Sequence, residues 1–569
     1  MNAWSRVCCW VLMAAWLPLA QPVLAAGDSG AAAGQQGLRG HLASVDWLKA
    51  NLARPDVVLI DASPAPLHRQ QHIPGAILST LFTFGPKDVP QDQFEAQLRA
   101  WGVNAGQHIV LYDQGGTYMA TRLFWDLVHH GMPADRLLIL DGGLAKWQAL
   151  GGVVTKEATP KPVPGTIRLA ALDQTVRVRL PEFLVATGDP LRHVLLEALE
   201  PSYFFGGAAF FNRGGHVPHA TLMPSTDFFN ADKTFRSPPE IQRMLDHLGI
   251  RREQQVHTYC GGGGAAAVPF FALKYLLDYP RVTLFQESQM GWLQDARELP
   301  VWTYASPHLL RDTAWLKAWG SPMLKAFGLS QLSIIDVRPA EVFKLGHVPL
   351  AVNLPAQLFI DQRQNPQALL ALLGQAGVDP SHEVVVVSEG GITAQAALAH
   401  LVLEGLGQRQ VSIFMDSIER WAELGHEVAR PAPAAAASMP PEPSTTPSAA
   451  ATAPPSTTPV RALVNARRTD HRIADANSPQ GLYPRVFVAS GPQLPATTPP
   501  GQLVHLPHAR LLKPDGTPKP ASELWNLIHQ AGVPRYAQIV VLADSAGDAA
   551  VNQLIFRLMG FADVLVWAP

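Results

Sequence analysis

Gln255-Val-His-Thr-Tyr-Cys260-Gly-Gly-Gly-Gly-Ala265-Ala-Ala-Val-Pro-Phe270-Phe-Ala-Leu-Lys-Tyr275 is the stretch on which the fold turns. Val256 to Tyr259 reads as a short buried strand; it passes through one cysteine and four glycines into a segment of helical character. Strand, small-residue loop and helix in that order build a doubly wound parallel sheet, and ligands on such sheets bind outside the carboxyl ends of strands. Cys260 falls at such an end.

The pattern recurs along the chain. Comparable strands are Ile109–Tyr112, Val384–Val387 and Ile539–Ala543, and Asp113, Ser388 and Asp544 open the loops that follow. Upstream of each stands one word: His72-Ile-Pro-Gly-Ala76, His216-Val-Pro-His-Ala220, His347-Val-Pro-Leu-Ala351 and His505-Leu-Pro-His-Ala509. Before each word lies an apolar run ending in an acid or amide, at Asp61, Glu197, Asp336 and Asn465, the last in Leu463-Val-Asn465. In the first three units a third strand leads to a turn and a tryptophan, Trp147, Trp292 and Trp421. The histidines recur in units without a thiol, so they are expected to cap or pack and not to act as bases.

The expected fold class is therefore α/β, with repeated doubly wound parallel-sheet domains. The expected units span 38–156, 174–303, 306–430 and 461–569, the last degenerate, with a Pro/Ala/Ser/Thr linker over 431–460 that cannot bury a core and leaves the fourth unit tethered. The length of 569 residues agrees with three or four domains, at roughly 150 residues each. With 44 basic and 46 acidic residues, no whole-chain field attracts nucleic acid or an anionic membrane. Arg6, the apolar run Val7–Leu19 and Pro22-Val-Leu-Ala25-Ala26 are the pattern of a signal peptide over 1–26, with export to the periplasm or beyond and no stable membrane anchor after cleavage. Of three cysteines, Cys8 and Cys9 lie in that segment, which leaves Cys260 alone, with no intrachain disulfide, no multi-cysteine metal site and no expected cofactor.

Together the acid-ended strand, the His-Ile-Pro-Gly-Ala word, the cysteine loop and the Asp-Gly-Gly turn before tryptophan resemble the rhodanese superfamily. Units one and two are similar to tandem thiosulfate and 3-mercaptopyruvate sulfurtransferases, with Asp113 at the silent position and Cys260 at the active one. The resemblance implies that the Cys260 thiolate takes a sulfane sulfur from a small donor, becomes a persulfide, and passes the sulfur to a thiol or cyanide acceptor. Silent units would be scaffolds or would bind a protein partner.

A persulfide needs a thiolate, and an ordinary cysteine is mostly protonated at neutral pH. A helix starting near Ala265 and running through Tyr275, together with inward N–H groups of Gly261, Gly262, Gly263 and Gly264, is expected to favour the anion. Six positions after Cys260 stands Ala266, which removes the arginine that phosphatase chemistry needs. The loop is neutral, closer to mercaptopyruvate-type members, but Gly262 and Ala265 occupy their hydroxyl positions, so no hydroxyl is expected beside the sulfur. Tyr203 stands where such members carry an arginine, Arg213 is near a second carboxylate-binding arginine, and Glu197 is expected to order nearby loops. The competing reading is a persulfide carrier or interaction protein with little turnover.

Overall fold

The computed structural model describes residues 38–82, 85–362, 365–430, 472–473, 480–495 and 499–567. The expected signal peptide, the expected linker and the expected Leu463–Asn465 strand lie outside the described residues. Among the described residues four sheets follow one another along the chain, one of six strands and three of five. In the second, the strands run in the order Arg177–Val178, Val282–Phe285, Gln255–Tyr259, His193–Glu197 and Ala220–Leu222, all parallel. The third and fourth repeat this order, and the first adds one antiparallel edge strand, Leu38–Arg39.

Central strands are apolar along their whole length because helices cover both faces of a parallel sheet. Val384, Val385, Val386 and Val387 are all fully buried, which contributes roughly 1.5–3 kcal/mol each relative to exposure. The ladders also fix the register of the loops. Tyr112 pairs with Asp61, Tyr259 with Glu197, Val387 with Asp336 and Leu542 with Ala489.

That register corrects the reading of the fourth unit. Its strand beside Gln538–Leu542 is Arg485–Ala489, and the residue in the position of Cys260 is Ala543, one place before Asp544. The histidine word there is also out of step. In the other units the edge strand comes four or five residues after the word's histidine, as Ile77–Leu78 follows His72, whereas Gln502–His505 ends on its histidine. Hydrogen-bond pairing decides this register, and a five-residue likeness could not.

The fourth unit is packed and not merely tethered. Trp525 stacks on Phe205 of the second unit at 5.3 Å, and Arg535 and Tyr536 both bond Asp227, each at 2.8 Å. Against the third unit, its helix Ala546–Leu558 meets Ala394–Gly405, and the Gly516 carbonyl accepts the Ile392 N–H at 2.8 Å. Units one and two pair in the same way. Phe124, on the helix Met119–His129, meets Phe271 edge-on at 5.0 Å, and Gly85 N–H donates to the Gly262 carbonyl at 3.0 Å.

Candidate active site

Cys260 follows directly on Tyr259, at the carboxyl end of the central strand, and is 2% exposed. The N–H of Gly263 lies 3.2 Å from its sulfur, and those of Gly262 and Ala266 are also directed at it. Of the four glycines expected to form the cradle, Gly262 and Gly263 do so, and Ala266 supplies the third N–H. Its glycines are required by neighbours as well as by the sulfur. Gly263 has φ +83°, and a Cβ there would lie 2.7 Å from both Arg122 Nη1 and the Gln286 carbonyl. A Cβ on Gly261 would lie 2.3 Å from the Phe210 ring, and one on Gly264 would lie 2.7 Å from the Tyr118 ring.

The acidity of the thiol differs from expectation. Burial pushes the Cys260 thiol up, and the nearby Glu197 carboxyl adds to the rise; the three N–H groups oppose it without prevailing. A sulfur almost closed off from water loses more hydration as an anion than three partial charges restore. The helix behind the loop is also shorter than expected. An α segment of five residues, Ala267–Phe271, passes into a π turn, Ala272–Leu276.

Three groups around the cysteine loop were not legible in the sequence. Ser288 accepts the Cys260 N–H at 3.1 Å, donates its hydroxyl to the Phe285 carbonyl at 2.8 Å and stands 4.0 Å from the sulfur. A hydroxyl thus does face the thiol, from the turn after the third strand and not from the cysteine loop. Ser288 occupies the place of Gly143 in the first unit, three residues beyond the strand, and keeps the left-handed backbone, φ 51° against 55°. The signal was the exchange of Gly143 for Ser288 between two turns that also differ at Asp141/Gln286 and Gly142/Glu287. The other two groups, Tyr118 and Arg122, come from the silent first unit, and no sequence pattern announces a contact between units. Arg122 binds Asp126 through Nε at 3.0 Å and Nη2 at 3.1 Å, and its buried Nη1, beside Gly263, has no hydrogen-bond partner.

Glu197 is fully buried. Its carboxyl accepts Gln289 Nε2 at 3.1 Å and meets the Tyr259 phenol, and burial pushes it up to about 8. It therefore holds its proton at neutral pH and orders the loops through Gln289, which also donates to the Gly215 carbonyl at 3.0 Å. The Tyr203 carbonyl accepts the N–H groups of Gly206 and Gly215, closing a hairpin bridged by Ala209 and Gly214. That hairpin carries Phe210 over Gly261. Arg213 lies half-buried in it, and among the described residues no ion pair holds it at the sulfur. Ala265 is buried at the end of the loop.

The histidines of the first three words pack. His72, His216 and His347 each set Nδ1 against a carbonyl, of His68, Phe204 and Phe343, and each stacks on that residue's ring at 3.9, 3.5 and 3.8 Å. His505, in its different register, is exposed. In the silent first loop the Asp113 carboxylate takes the place of the sulfur, accepting the N–H groups of Gly115 at 2.8 Å and Ala120 at 3.0 Å.

A family model described as the rhodanese-like domain matches residues 44–150 and 323–424. Those two stretches are rhodanese-like domains. Among curated proteins, the 3-mercaptopyruvate sulfurtransferase of Escherichia coli K12 is 28% identical over 283 residues, covering 45% of this chain and 95% of its own. A probable 3-mercaptopyruvate sulfurtransferase of Pseudomonas aeruginosa is 28% identical over 278 residues, 45% of this chain and 96% of its own. The sulfur carrier protein TtuD of Thermus thermophilus is 27% identical over 267 residues, 44% of this chain and 93% of its own. The crystal structure of the E. coli 3-mercaptopyruvate sulfotransferase SseA aligns with a TM-score of 0.39 and 24% identity, over 44% of this chain and 98% of that one.

Proposed function

We propose that this rhodanese-domain protein is a sulfurtransferase acting through Cys260, with thiosulfate or 3-mercaptopyruvate as donor. The observation that carries the proposal is the free thiol at a strand end, with the N–H groups of Gly262, Gly263 and Ala266 directed at its sulfur. In the first step the thiolate attacks the outer sulfur of the donor; an S–S bond forms and sulfite leaves, or pyruvate enolate leaves and takes up a proton. In the second step cyanide or a thiolate attacks the outer sulfur of the persulfide, and the Cys260 thiolate departs. The same N–H groups stabilise the negative sulfur in both steps. Because Phe210 covers Gly261 and the thiol is 2% exposed, a donor reaches the sulfur only when the 205–215 hairpin shifts.

The buried, weakly acidic thiol favours a second reading, a persulfide carrier with slow turnover, and one of the relatives is named a sulfur carrier. Thiocyanate release from each donor separates the two. Multiple turnover that Cys260→Ser abolishes is expected; turnover unchanged in that variant overturns both readings, and a single Cys260-dependent sulfur per chain selects the carrier. Export rests on the N-terminal pattern alone, and the mass of the protein recovered from the periplasm tests cleavage after residue 25 or 26.

A further inference from the structure

A cavity of about 430 Å³ opens where the second unit, the fourth unit and the connector around Ala305–Leu309 meet. This volume lies in the range typical of small-molecule sites, roughly 300–1,000 Å³. Neither Cys260 nor its glycines line it. One side is aromatic, from Phe205 and Trp525, already stacked on each other. The other presents His219, His308, Arg535 and Arg557, and among the described residues no carboxylate lines it.

The arginines are fixed from outside. Arg535 Nη1 binds Asp227 at 2.8 Å, and Arg557 Nη1 binds Glu404 of the third unit. Arg557 retains further guanidinium donors beyond that nitrogen. Burial lowers both His219 and His308, so at neutral pH they are uncharged hydrogen-bonding groups, and the positive charge of the lining comes from Arg535 and Arg557.

We propose that this cavity binds a small organic anion, a carboxylate or sulfonate on an aromatic or apolar body. The apolar body lies against Phe205 and Trp525, and the acid group meets the histidines and Arg557. The site exists only because the fourth unit docks on the second, and it is separate from the thiol.

The test uses the full chain and 8-anilinonaphthalene-1-sulfonate, by calorimetry and fluorescence. One saturable site per chain is expected. Ala562→Trp, which fills the cavity, and the His219→Leu/His308→Leu double variant should each weaken it at least tenfold. The neutral analogue N-phenyl-1-naphthylamine should bind at least tenfold more weakly than the sulfonate. Cys260→Ser should bind as the unaltered protein does. Undiminished binding by an Ala562→Trp protein with native circular dichroism overturns the proposal. So does loss of the site in Cys260→Ser, which would place the anion at the thiol.

Discussion

Ser288 faces Cys260 with a single hydroxyl oxygen that accepts the Cys260 N–H at 3.1 Å and stands 4.0 Å from its sulfur. It does so from a left-handed backbone, at a penalty of roughly 1–2 kcal/mol for a non-glycine residue. Such strain persists where surrounding structure imposes it, and it collects at functional sites.

Two substitutions separate the strain from the hydroxyl. Ser288→Gly relieves the backbone and Ser288→Ala does not, so the glycine variant should unfold at a higher denaturant concentration than the alanine variant. Both lose the oxygen, and both should lose about tenfold or more in thiocyanate kcat/KM, an effect of the size expected for a positioned polar group. Full activity in either variant would remove Ser288 from the site.

Glu197 gives a pH signature. Its carboxyl is raised from an ordinary value near 4.5 to about 8, so between these values the folded chain binds more protons and stability falls as pH rises. Glu197→Gln should abolish that slope, whose full size is on the order of 5 kcal/mol. Denaturant unfolding at pH 5 and pH 8 measures it. Removing the carboxyl should also lower the Cys260 thiol and speed its alkylation by iodoacetamide at pH 8.

The buried histidines act with the opposite sign. His216 is lowered from 6.5 to about 4 and His257 to about 3, both chiefly by burial. The unfolded chain therefore takes up their protons first, and this contribution to stability, present above pH 6.5, is lost as pH falls toward 4 and below. In His216→Gln the drop in unfolding midpoint between pH 7 and pH 4.5 should shrink; an unchanged drop would mean that His216 is not the group titrating.

Phe210 controls access. Phe210→Ala should raise the alkylation rate of Cys260 severalfold with little change in fold. Gly261→Ala, whose Cβ would lie 2.3 Å from that ring, should distort the hairpin, and the double variant should recover the stability lost. Failure of the pair to couple would show that the ring does not cover the loop in solution.

Gly263→Ala should be more damaging than Gly261→Ala, because it adds a left-handed φ of +83° to contacts with the Gln286 carbonyl and Arg122. A loss of at least 1–2 kcal/mol is expected from the backbone alone, with near-complete loss of sulfur transfer.

The local grammar of the fold was legible because it is written in short-range residues. Val57–Asp61, Val194–Glu197 and Ile334–Asp336 are apolar runs that only a two-sided sheet can bury, and the Cys260 loop announces a strand end by its glycines. The fourth unit misled because its words are local likenesses, whereas register belongs to the ladder that pairs Arg485–Ala489 with Gln538–Leu542. By itself the sequence determined the α/β units, the position of Cys260 at a strand end and part of the N–H cradle around it. Tertiary structure alone decided how deep that thiol lies, and so the sign of its shift, because desolvation comes from Phe210, Tyr118 and the first unit packed across the loop. It likewise brought Ser288 to the sulfur and closed the cavity between Trp525 and Phe205, since both depend on distances between segments that no local pattern encodes.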